Sequence, residues 1–201
     1  MKQYIQENRL KRFLLSCGAA AILSFLLHIL SMEQILAFLP TDPLSETAYQ
    51  QIASSQLFLH FFILSALLFS SGLLIYFKRS TKDEFIEATQ LLVACQLLLL
   101  LRTFIFVFDP HSFSYLLLVG IQLLLVMMAL FFYFMNFLKY PGHLIYALIT
   151  LACLFIYLFS ILYTLFLTEF NLPNTGSVLV DVFLIATLSV FVKNAEAVVA
   201  E

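Results

Sequence analysis

Six apolar stretches, at about 13–32, 54–77, 85–108, 113–138, 143–168 and 177–192, account for most of a 201-residue chain. A helix needs about 20 predominantly apolar residues to cross a hydrocarbon core about 30 Å thick, and each stretch meets or approaches that length. The last is the shortest and contains Asp181, yet its helical pattern runs on through Lys193 and Ala195. With 63% of residues hydrophobic and 11% charged, against about 45–50% and about 25% in soluble domains, no water-soluble core could hide the apolar surface. Length and unbroken hydrophobicity select helices over a β-barrel, whose strands run about ten residues with alternating polarity. The sequence therefore predicts an all-α polytopic membrane protein, one integral domain over 1–201 with six transmembrane helices in a single bundle.

Charge placement orients it. Nine of the ten lysines and arginines lie in alternate gaps: Lys2, Arg9, Lys11 and Arg12; Lys78, Arg79 and Lys82; Lys139; and Lys193. The other gaps, 33–51, 109–112 and 169–176, hold Glu33, Asp42, Glu46, Asp109 and Glu169 and neither lysine nor arginine. By the positive-inside rule both termini are cytoplasmic, in a multi-pass protein of the cell membrane. The net charge of −2 and the absence of a basic block argue against a nucleic-acid partner.

Chain breakers agree with these boundaries. Pro40 and Pro43 fall in the first outer gap, Asp109-Pro110 after the third span, Pro141-Gly142 in an inner turn, and Leu172-Pro173-Asn174 in the last outer gap. Ser112 and Thr175 are placed as N-caps of the spans that follow. The 33–39 segment either prolongs the first helix or lies in the interface. Lys2, Arg9, Lys11 and Arg12 ahead of an apolar run imitate a signal peptide. The run is longer than the usual h-region of about 7–15 residues, however, and Ser31-Met32-Glu33 is no small-x-small cleavage site. The segment is expected to stay as the first span. Cys17, Cys95 and Cys153 sit singly in apolar runs and are read as packing residues, without disulfide or metal.

In lipid, helices meet along small and weakly polar faces. Cys17, Ala20/Ala21, Ser24, His28 and Ser31 form one such face; Thr89, Gln96 and Thr103 a second; Thr150, Cys153, Tyr157, Ser160 and Thr164 a third. Only five glycines are present, so close GxxxG-type crossings and flexible broken helices are not expected.

Ionisable residues inside spans cost roughly 2.5–3.5 kcal/mol each at the centre and are default functional candidates. Counting from the cytoplasmic charges, His28, His60 and Arg102 stand roughly 24–27 Å up and Asp181 roughly 18 Å. Asp109 and His111 lie just above them. These depths predict an outward-facing polar crevice built from Arg102, His28, His60, Asp181 and Asp109 over an apolar floor. Arg102 is always charged and needs acceptors. By depth Asp181 is its expected partner, in a structural pair, unless Arg102 snorkels outward or receives an anionic ligand.

The primary reading is a non-enzymatic protein that binds or passes a small solute from the outer side, or serves as membrane subunit of a transport complex. In span number, length, termini and long first outer loop, its gross plan resembles the substrate-binding component of energy-coupling-factor importers. Ser16 and Ala20 approximate that family's small-residue docking pattern on the first helix, and no ligand motif matches. The alternative is a structural or regulatory partner (an envelope scaffold, sensor or immunity-type protein) or homo-oligomer, with the polar cluster as an internal lock. A membrane enzyme, or a haem held by His28 and His60 on adjacent spans, ranks third. No catalytic motif, metal site or cofactor is expected.

Overall fold

A computed structural model describes residues 2–38, 46–80, 82–108, 113–167 and 175–194, and side chains at 7–31, 56–80, 82–103, 117–140, 142–159, 161 and 179–194. The described backbone forms six α-helices: α1 Lys2–Phe38, α2 Glu46–Arg79, α3 Ile86–Phe108, α4 Phe113–Leu138, α5 Leu144–Leu167 and α6 Thr175–Asn194. Short 3₁₀ turns at Asp83–Phe85 and Pro141–His143 lead into α3 and α5. Within the described residues, Glu7–Ser31, Gln56–Arg79, Asp83–Thr103 and Leu117–Leu138 are long and apolar enough to cross a membrane, and Leu144–Phe159 is a shorter apolar helix.

The helices pack as a closed ring in chain order, α1 on α2, α2 on α3, α3 on α4, α4 on α5, α5 on α6, and α6 back on α1. Consecutive helices run antiparallel, which gathers Lys11, Tyr76, Lys82, Lys139, His143 and Phe191 at one end. Lys11 Nζ lies 5.7 Å from the Tyr76 ring centre and Lys82 Nζ 4.7 Å from that of Phe191. Lys139 Nζ is 3.9 Å from a Glu84 oxygen. We call this the basic end.

The polarity pattern is compatible with a membrane protein. Leu23, Leu26, Leu30, Leu57, Phe61, Leu68, Leu124, Phe131, Ile145, Phe155 and Phe159 face outward, whereas Thr89, Gln96, Arg102, Gln122, Thr150 and Asp181 are buried. Scattered exposed leucines would mean little, but an apolar outer face on every helix around a partly polar interior inverts the usual soluble arrangement.

The 33–39 segment prolongs the first helix, since α1 continues to Phe38; glutamate, glutamine, leucine and alanine keep favouring helix after hydropathy falls. Two expectations are corrected. α2 starts at Glu46, ahead of the expected 54. α6 begins at Thr175 itself, so this residue stands within the helix rather than before it. Two of the five glycines, outside any GxxxG pattern, lie where helices come close. A Cβ on Gly18 would lie 2.6 Å from Ser189 Oγ of α6, and one on Gly72 would lie 2.9 Å from Leu14 Cδ2 of α1.

Candidate functional site

The 3₁₀ turn ahead of α3 buries Phe85, and α3 continues the stripe with Thr89, Leu92, Gln96, Leu99 and Arg102 at three- and four-residue steps, as 3.6 residues per turn require. α4, α5 and α6 supply the facing stripes. At the basic end these stripes close the ring with aromatic rings. Phe85 stacks on Phe77 at 5.1 Å and meets Phe137 at 5.1 Å and Phe191 at 5.4 Å. Phe191 in turn touches His143 edge-on at 5.1 Å and Tyr146 at 5.4 Å. Burial, then the charge on Lys82, hold the His143 imidazole below its ordinary value of 6.5. Burial and the charge of Lys11 likewise lower the Lys82 amine.

One turn above this plug, the Thr89 hydroxyl donates to the Phe85 carbonyl at 2.7 Å. Its oxygen lies 2.7 Å from the Tyr133 hydroxyl. Because the single Thr89 proton is committed to Phe85, Tyr133 is the donor in the second bond.

Further up, the interior becomes polar again. Gln96, Tyr157 and Asp181 each stand ten or eleven residues along their helices from Phe85, Tyr146 and Phe191, roughly 15–16 Å above the plug. They form one layer. Gln96 Nε2 donates to Asp181 Oδ2 at 3.3 Å, joining α3 to α6 across the ring. Cys95, Cys153, Tyr157 and Arg102 are close enough to interact electrostatically with this group. Gln96 and Tyr157 are 1% exposed and Asp181 3%, yet Gln96 Oε1, Asp181 Oδ1 and Tyr157 Oη have no hydrogen-bond partner. Gln122 Oε1, one turn higher on α4, has none either.

Of the residues expected in a crevice, Arg102 and Asp181 are buried in this interior, on the same side of the plug. His28 and His60 are half-buried on α1 and α2, with His60 Nδ1 2.6 Å from the Gln56 carbonyl of its own helix. Asp109 and His111 lie outside the described residues, as do Ser112 and the prolines expected in the outer gaps. The side chains of Ser160 and Thr164 are likewise outside them. On the expected packing faces, Cys17, Ala21, Ser31, Thr89, Gln96, Thr150, Cys153 and Tyr157 are buried, and Ala20 is exposed. All three cysteines are free and buried. No cluster of three metal-ligating side chains occurs among the described residues.

Two parts of this arrangement escaped sequence reasoning. Gln96 was legible only as a packing amide, because its pairing with Asp181 depends on the register between helices 85 residues apart. The aromatic plug had a usable signal: each helix carries an aromatic residue within a turn or so of its basic end. Compared with family profiles, curated proteins and solved structures, the chain matches none.

Proposed function

We propose that this chain is a six-span integral membrane protein with cytoplasmic termini whose interior polar layer binds or passes a small solute. The solute would reach the layer from the side opposite the basic end, with the chain acting alone or as membrane subunit of a transport complex. One observation carries the reading. Asp181, Gln96 and Tyr157, on three helices at one level, hold three buried oxygens that no protein group satisfies. An unsatisfied buried polar group costs about 1–3 kcal/mol, so three in one layer are better explained as ligand contacts than as packing. The aromatic plug below them closes the cytoplasmic side, and Arg102 stands above them as a fixed positive charge.

The test is accessibility. In a background with Cys17, Cys95 and Cys153 replaced by alanine, the variants His28→Cys, His60→Cys, Arg102→Cys and Asp181→Cys are treated with a small charged thiol reagent from the outer face. Labelling at positions 102 and 181 supports the solute reading; an interior sealed at all four positions removes it.

A second reading is favoured by the Gln96–Asp181 hydrogen bond across the ring. On it the polar layer is a structural lock in a scaffold, sensor or immunity-type protein. Arg102→Gln and Asp181→Asn then each lose stability, and the double variant recovers it.

A further inference from the structure

If the interior layer is a binding site, as the solute reading holds, its chemistry limits what can occupy it. The Gln96 amide donates to the Asp181 carboxylate, so the amide oxygen necessarily faces away from that bond. What remains unmatched is Gln96 Oε1 and Asp181 Oδ1, both acceptors, and the Tyr157 hydroxyl within electrostatic range of Asp181. An anion would face the carboxylate and the amide oxygen, with only the Tyr157 hydroxyl able to donate to it. The complementary occupant brings hydrogen-bond donors or positive charge.

The set contains hard oxygens and one carboxylate, with the Arg102 guanidinium within electrostatic range. Divalent ions in protein sites take several carboxylates and carbonyls, and imidazole or thiolate sites select transition metals. Neither description fits. We infer that the Gln96–Asp181–Tyr157 oxygens bind a monovalent cation, either an alkali ion or the primary ammonium of a small solute. Arg102, further from the plug, offsets part of the carboxylate's charge and so disfavours a higher-valent occupant.

The three buried cysteines provide the readout, since a thiol-reactive dye reports unfolding when they become exposed. Purified protein in detergent is titrated with sodium chloride, potassium chloride or methylammonium chloride. Choline chloride, whose bulky cation has no N–H donor, controls for ionic strength. The expected result is a saturable rise of the unfolding midpoint with at least one small cation and none with choline. Sodium or potassium alone marks an alkali-ion site, and methylammonium alone an amine site. Asp181→Asn should abolish the rise and Tyr157→Phe, which keeps the packing, should raise the half-saturating concentration several-fold.

Two results overturn the inference: no saturable shift with any small cation, or a shift that survives Asp181→Asn. If position 181 labels from outside but only acetate or phosphate, added as choline salts, stabilises the protein, the cation site is wrong and the solute reading stands. If position 181 is sealed as well, both fall.

Discussion

Thr89 and Tyr133 show how a single hydroxyl can have unequal consequences depending on which partner is removed. Tyr133→Phe deletes a donor but leaves Thr89 bonded to the Phe85 carbonyl. Hydrogen bonds between membrane helices average only about 0.6 kcal/mol in coupling, so the loss should be of that order. Thr89→Val instead strands the Tyr133 hydroxyl in a fully buried site, at about 1–3 kcal/mol. Denaturant titration of the two purified variants should rank Thr89→Val as the more damaging, and equal losses would refute the donor assignment. His143 gives a pH prediction at the same scale. Its folded-state value lies below 6.5, so on acidification the unfolded chain takes up the proton first. Its contribution to stability is therefore present at neutral pH and lost as pH falls through the folded value. Unfolding midpoints should drop between about pH 7 and pH 5, and His143→Phe should flatten that slope. Little of this was visible beforehand. Thr89 and Gln96 read alike in sequence, as weakly polar residues on an inward face, because hydrogen-bond partners are set by register and not by local pattern. Arg102 and Asp181 stood out because charge in an apolar run is expensive wherever it points.

At the scale of the helix, apolar length and the lysines and arginines located the ends of α3, α4 and α5 well, since hydropathy changes there together with the chain breakers Pro110, Pro141-Gly142 and Pro173 in the sequence. α2 was misjudged at its start, and the continuation of α1 past 32 was left open. Leaving the hydrocarbon and leaving the helix are different events, and hydropathy reports only the first. Composition also hid the use made of glycine. Gly18 is where α1 approaches α6, and an added methyl would press on the hydroxyl of Ser189, which is itself buried and unpartnered. Gly18→Ala should therefore cost about 1–3 kcal/mol by overpacking. Ser189→Ala, which removes an unsatisfied hydroxyl, should be neutral or stabilising. The two sites are coupled: the double variant should recover most of what Gly18→Ala loses, and a strictly additive result would mean that the backbone, not the hydroxyl, is the obstacle.

For the molecule as a whole, the ring order and the charge asymmetry answer different questions. The ring places Lys2 of α1 and Asn194 of α6 at the basic end, because six antiparallel helices in sequence return to the side they started from. On the proposed six-span reading, the side of the membrane that this end occupies follows from the nine cations of the alternate gaps and the positive-inside rule, in which carboxylates count for little. Reporter fusions check ring and side together. A fluorescent protein joined after Asn194 should fold and glow, and alkaline phosphatase at the same point should be inactive. Phosphatase inserted between α1 and α2, at 39–45, should be active. If both phosphatase fusions were active, α6 would not cross and the ring would be a soluble-side cap on fewer spans. If phosphatase were instead active after Asn194 and inactive at 39–45, the basic end would face outward and the polar layer would open to the cytoplasm. The hydrocarbon core would then be crossed in the same number of passes, but the solute and its cation would have to come from inside the cell. The fusion pattern thus decides the direction of supply before any ligand is known.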